Sequence, residues 1–372
     1  MIVKNVNIFR ENGTFEKGDI IIEKDRFANE TTDETVIDGN GCFAIPGLTD
    51  VHFHGCVGYD FCDGTEEAIQ AMAEYELANG VTAINPATMT LPEETITKVA
   101  RAAAAHKNES GADLVGINME GPFINPEKKG AQDPQYMLDP NVEMFKRLQK
   151  EANGLFKICD IAPERDGALE FIDALKDEVR ISVAHTAADY DQAKAAFDHG
   201  ASQVTHLYNA MNPLTHRAPG VIGAASENEN VYAELICDGV HIHPAAIKAA
   251  FKMFGDDRIV LISDSMMATG KPDGQYSLGG QNVTVKGSHA TLTEGGALAG
   301  SVTNLMNCMR FVVKTVGISL GSAVKCAAVN PAKSVGIYDN YGSITVGKLA
   351  NLVLLDDNLD ITHIIKKGTV VR

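Results

Sequence analysis

Hydrophobic and polar positions change their period twice along this chain of 372 residues. From residue 1 to about 42, apolar and polar residues alternate in short runs at 2–9, 18–23 and 35–37, separated by Asn, Gly and Asp. Period-two alternation bounded by turn formers predicts strands, so this end reads as a small β unit. The middle follows another rule. Apolar runs at 43–54, 81–85, 114–119, 156–161, 180–184, 203–205, 232–237 and 259–262 alternate with amphipathic stretches at 65–79, 93–107, 141–152, 167–176, 190–199 and 244–254. That alternation predicts a parallel sheet covered by helices. The β signal then returns at 342–344, 350–355 and 361–371.

Two terminal β segments around a large middle most simply pair with each other. The expected organisation is α/β: a small discontinuous β-sandwich built from residues 1–45 and 331–372, enclosing a unit at 46–330. Eight strand-helix steps are the count of a closed (β/α)8 TIM-like barrel, whose functional groups sit at the carboxyl ends of the strands. A doubly wound open sheet is the alternative. No GxGxxG or Walker-type loop follows an early strand, so a nucleotide-binding fold has little support.

Composition narrows the partners. With 45% hydrophobic residues the chain can bury a large core, and its formal net charge of -17 argues against nucleic acid or an anionic membrane as partner. An anionic substrate must then be drawn in by local cations. The seven cysteines are irregularly spaced and make neither a CxxC motif nor an even disulfide set, which fits a reducing cytosol. There is no signal-peptide-like apolar stretch at the N-terminus and no run of about 18 apolar residues anywhere, so a cytoplasmic, non-membrane protein is expected.

The chemistry is concentrated where the apolar runs end. In Asp50-Val51-His52-Phe53-His54, alternation puts His52 and His54 on one side of a strand, two imidazoles converging on a point. Imidazole is the commonest metal ligand, and such a pair supplies two of the three or four protein ligands that a catalytic zinc or iron site needs. The other strand ends carry Glu120, His185, His206 and Asp264. Each alone has a plain structural explanation, as a loop carboxylate, a core histidine or a helix cap. His185 and His206 stand 21 residues apart, about one strand-helix-strand step, so both would reach the same mouth. Glu120, His185 and His206 are therefore expected to hold a divalent metal, with Asp264 as general base and then general acid.

These segments also carry a resemblance. The stretch 46–55 with its HxH, Met119-Glu120-Gly121-Pro122-Phe123, Ala184-His185-Thr186, Thr205-His206-Leu207-Tyr208-Asn209-Ala210-Met211, Cys237-Asp238-Gly239-Val240-His241 and Ser263-Asp264 are similar to the amidohydrolase superfamily. EGPF together with THLYNAM resembles its branch of hexosamine-phosphate deacetylases in particular. The resemblance implies hydrolysis of the acetamide of N-acetyl-D-glucosamine 6-phosphate to D-glucosamine 6-phosphate and acetate. The galactosamine epimer is the alternative substrate, and a non-catalytic scaffold the alternative from another class. It assigns Asp264 the proton-carrying role. It also implies that Arg217 and His241 bind the phosphate, that Asn209 and the Ala210 backbone contact the sugar phosphate, and that a neighbouring subunit completes the site in a homodimer. Gln132 stands where many relatives have a histidine that polarises the acetyl carbonyl; an amide N–H can still donate but cannot titrate. Relatives that use a carboxylated lysine carry it at the end of the fourth strand, whereas Lys157 lies near that strand's start. One or two ions, zinc or iron, are implied, and retention of HxH favours two.

Overall fold

The computed structural model describes all residues, 1–372. The terminal β segments do pair with each other. Leu352–Leu355 runs antiparallel to Phe43–Pro46, with Val353 opposite Ile45. Together the two ends make one eight-stranded sheet, ordered from Thr369–Val370 through Ile361–Lys366, Leu352–Leu355, Phe43–Pro46, Ile2–Phe9 and Phe15–Glu23 to Arg26–Phe27, with Val36–Asp38 on a side branch. Its faces divide by alternation. Leu352 and Leu354 join a 12-residue core with Val3, Val6 and Ile8, whereas Val353 and Leu355 join the 72-residue core of the middle unit. One strand therefore seals both cores.

In the middle, eight parallel strands alternate with helices. Leu48–Asp50 and Val81–Ile84 lie side by side, and Ile117–Met119, Phe156–Ile161, Arg180–Val183, Gln203–Val204, Tyr232–Ile236 and Ile259–Ile262 follow in chain order in a second sheet. Hydrogen bonds tie the two sheets at both edges. Thr88 N donates to Asn118 O at 2.9 Å on one side, and Asp264 N donates to His52 O at 2.9 Å on the other. Each strand also contributes, within it or at its carboxyl end, a polar side chain with no exposed surface: Asp50, Asn85, Asn118, Asp160, Ser182, Gln203, Glu234 and Ser263. This polar belt lies beside or just before the strand ends that carry the candidate ligands.

Helix starts follow their caps. Asp189 and Gln192 form a capping box for Tyr190–His199, and Thr65 caps Glu66–Ala78 through the Ala68 N–H. Two expectations shift. The apolar run 43–54 splits between the terminal sheet and the first parallel strand, and 114–119 splits into Asp113–Leu114 and Ile117–Met119, which pair with different neighbours. Beyond the expected elements, helix Gly220–Glu227 precedes the seventh strand, and the eighth is followed by an antiparallel sheet of Gly274–Leu278, Gln281–Lys286 and His289–Leu292. The Gln281 amide donates to Ala131 O at 3.1 Å and Gln132 O at 3.2 Å, so this added sheet fastens the loop before Asp139.

Candidate metal centre and active site

All six strand-end residues meet. Glu120 Oε1 lies 3.1 Å from His185 Nε2 and 3.2 Å from His206 Nε2, and those two nitrogens are 3.1 Å apart. His52 Nε2 stands 3.4 Å from the same oxygen, while His54 Nε2 lies 3.2 Å from Glu120 Oε2 and 3.3 Å from Asp264 Oδ1. The backbone bends sharply to achieve this. His185, His206 and Asp264 have φ of 42°, 30° and 48°, a left-handed region that non-glycine residues visit at a cost, and such residues cluster at functional sites.

Two groups of potential ligands result, His52 with His54 and Glu120, and Glu120 with His185 and His206. Glu120 belongs to both. The triangle of the second group has edges of 3.1 to 3.2 Å, close to the roughly 3.3 Å between tetrahedral ligands that each sit 2.0–2.1 Å from an ion. Three donors of a metal-loving type, almost buried and crowded at that spacing, fit a divalent ion. The His52 Nε2 has no hydrogen-bond partner, which fits a ligating nitrogen.

Electrostatics follow from burial and mutual contact. Burial would raise the Glu120 carboxyl, but His52, His185 and His206 hold it well below the usual range. Burial would lower His54, yet Asp264 and Glu120 push it up to about 10, and Glu234 and Glu120 carry His52 well above its ordinary value. Asp264 ends below the usual carboxylate value because its bond to His54 and the charge of His52 outweigh burial.

The site opens into a cavity of about 400 Å³, within the range of small-molecule pockets. His54, Glu120, Gln132, His185, His206, Asn209, Ala210, His241 and Asp264 all line it. His52, with no exposed surface, sits behind. His241 Nδ1 is bonded to Asp238 Oδ2 at 2.7 Å; burial would lower its pKa, but that carboxylate raises it. Gln132 does more than its expected contact with an acetyl group: Nε2 donates to Glu120 Oε2 at 2.6 Å and Oε1 accepts from Thr90 N at 2.7 Å. Arg217 is not brought in. It lies on an exposed turn and does not line this chain's cavity.

Three neighbours were not foreseen. Lys128 lines the cavity, and its carbonyl accepts from His185 Nδ1 at 2.7 Å, fixing that ring. Asp238 orients His241 and lay unassigned inside a quoted motif. Glu234 bonds His52 Nδ1 at 3.0 Å; a carboxylate inside an otherwise apolar run was its signal.

Comparison with known proteins agrees with this geometry. The family model described as "Amidohydrolase family" matches residues 43–371. The chain belongs to the amidohydrolase family. This amidohydrolase is 37% identical to N-acetylglucosamine-6-phosphate deacetylase of Bacillus subtilis (strain 168), covering 100% of this chain and 96% of that one. It is 35% identical to N-acetylgalactosamine-6-phosphate deacetylase of Escherichia coli O157:H7, over 87% of this chain and 86% of that one. Among solved structures, a mutant N-acetyl-D-glucosamine-6-phosphate deacetylase from Mycobacterium smegmatis in complex with N-acetyl-D-glucosamine-6-phosphate superposes with a TM-score of 0.93 at 31% identity, covering 100% of this chain and 99% of that one. The amidohydrolase is a hydrolytic enzyme of a metal-dependent family, and none of its helices is long and apolar enough to cross a membrane.

Proposed function

We propose that this amidohydrolase deacetylates N-acetyl-D-glucosamine 6-phosphate, releasing acetate and D-glucosamine 6-phosphate. One observation carries the reading: Glu120 Oε1 meets the Nε2 atoms of His185 and His206 at 3.1 and 3.2 Å, with Asp264 lining the same cavity. Relatives named for this activity support the substrate. The hydrogen bonds at both sheet edges support a closed (β/α)8 barrel at residues 46–330, with 1–45 and 331–372 as the terminal β domain.

Glu120, His185 and His206 would hold one ion, and His52 and His54 with Glu120 a second; imidazole and carboxylate suit zinc or iron. A bound divalent ion polarises the amide carbonyl and lowers the pKa of water. The chain's own residues do the rest. Asp264, kept ionised by its histidine neighbours, takes a proton from the attacking water as the new C–O bond forms. It then delivers that proton to the nitrogen as the amide C–N bond breaks, so acetate and the amine leave. One N–H of Gln132 stays on Glu120 Oε2, and the other leaves Met89 Sδ, 3.6 Å away, to donate to the acetyl oxygen. Asp238 fixes the His241 ring, which together with Asn209 and the Ala210 backbone receives the sugar phosphate. Arg217, which does not line this chain's own cavity, reaches the phosphate held by a partner subunit in a homodimer. Free cysteines throughout fit a cytoplasmic setting.

Acetate release from the two epimeric sugar phosphates on purified, metal-loaded protein tests the reading. The glucosamine epimer should turn over faster, and no acetate from either would refute it. The galactosamine epimer is the second reading, favoured by the Escherichia coli relative, and preferential turnover of that sugar would replace the first.

A further inference from the structure

Glu234 takes no part in the proton transfers above, yet its carboxylate is among the most fully engaged groups in the protein. It sits in strand Tyr232–Ile236 without exposed surface. Its Oε1 accepts from Gln203 Nε2 at 2.6 Å, and its Oε2 accepts from the His206 backbone N–H at 3.2 Å and faces His52 Nδ1 at 3.0 Å. Oε2 thus touches one residue from each of the two ligand groups.

A neutral imidazole carries its proton on one nitrogen and a lone pair on the other, and the partner of one nitrogen decides which. A carboxylate against Nδ1 holds the proton there and leaves Nε2 as the lone-pair atom. In His52 that Nε2 has no hydrogen-bond partner and lies 3.4 Å from Glu120 Oε1. The same carboxylate accepts from the backbone N–H of His206, whose φ is 30°.

We propose that Glu234 is a positioning residue that fixes the His52 tautomer and thereby decides whether the His52, His54 and Glu120 group holds an ion. The inference rests on the two-ion reading above. Gln203 completes the arrangement by holding Glu234 from its other oxygen. Carboxylates that orient ligating histidines typically carry about 10- to 100-fold in metal affinity.

The test is Glu234→Gln, which keeps an acceptor for the His206 N–H but removes the charge. Gln203 can turn to accept the new amide, since its Oε1 has no partner. Zinc-loaded protein is dialysed against a graded series of chelator concentrations, and the zinc retained per chain is measured. In the variant, one ion should leave at about 10- to 100-fold lower chelator strength, the other should leave as in wild type, and the metal-free protein should still unfold in one cooperative transition. In a His52→Gln background the added substitution should change nothing. Gln203→Met, which loosens Glu234 without touching it, should shift the same ion by less and serves if Glu234→Gln does not fold. Release of both ions as in wild type overturns the role of Glu234 and leaves the two-ion reading intact. Equal weakening of both ions makes the residue merely structural and also overturns it. A wild-type protein that holds only one ion overturns the two-ion reading, and this inference falls with it.

Discussion

Gln132 donates from Nε2 to Glu120 Oε2 across 2.6 Å, and that oxygen is also the one 3.2 Å from His54 Nε2. Gln132 therefore braces the carboxylate shared by both ligand groups. A hydrogen bond to a charged group contributes about 1.5–3 kcal/mol, so Gln132→Ala should lower kcat/KM by roughly 10- to 150-fold. Steady-state kinetics check this, and an unchanged kcat/KM would deny Gln132 the role.

Metal uptake should release protons. Without an ion, His54 is pushed up to about 10 and is protonated near pH 8, and His52 is raised well above its ordinary value in the same direction. Ligation needs neutral imidazole, so filling this group expels those protons, and its affinity rises with pH. Zinc calorimetry in buffers of different ionisation enthalpy should report the release. Elemental analysis under ample metal should give close to two ions per chain, falling towards one in a His52→Gln, His54→Asn protein. A wild-type value that stays at one contradicts the two-ion reading.

Arg217→Ala should weaken kcat/KM for the 6-phosphate substrate about 10- to 150-fold and leave slow turnover of unphosphorylated N-acetylglucosamine unchanged. Because Arg217 lies outside its own chain's cavity, mixed dimers of Arg217→Ala and Asp264→Asn chains should have a higher kcat/KM for the 6-phosphate substrate than either parent. No recovery in verified mixed dimers would rule out sharing of the site between subunits.

Stability should carry the mark of Glu76. Both of its carboxylate oxygens are buried without a hydrogen bond, and burial, with the nearby Asp50 charge, raises its pKa well above the usual value. The folded state then binds a proton that the unfolded chain gives up above a pKa of about 4.3. This group's contribution to stability is present at low pH and is lost as pH rises towards the folded value. Glu76→Gln removes the titration, so the mutant should gain on wild type as pH rises above about 4.3 in denaturant unfolding. Parallel curves would contradict this.

Much of the site was legible because strand ends are marked by chemistry as well as by period. His52, His54, Glu120, His185, His206 and Asp264 each follow an apolar run, and all six converge. What was illegible depended on distant partners. Glu234 is one carboxylate in an apolar run until strands one and six bring His52 and the His206 N–H against it. Arg217, expected at the phosphate, lies on an exposed turn outside this chain's cavity. Helix Gly220–Glu227, with two glycines in eight residues, has little intrinsic helix signal and owes its form to burial. The sheet at Gly274–Leu292 is made of short strands whose meaning, fastening the Gln132 loop through Gln281, exists only in three dimensions.

In the proposed reaction Asp264 moves the proton at a metal site built by its neighbours. General acid-base catalysis is worth about 10² to 10⁴ in rate, so the decisive measurement is kcat of Asp264→Asn for acetate release, made alongside its metal content. kcat should fall by at least about 100-fold with bound metal and folding retained. Near-normal kcat in a metal-loaded, folded Asp264→Asn protein would contradict it.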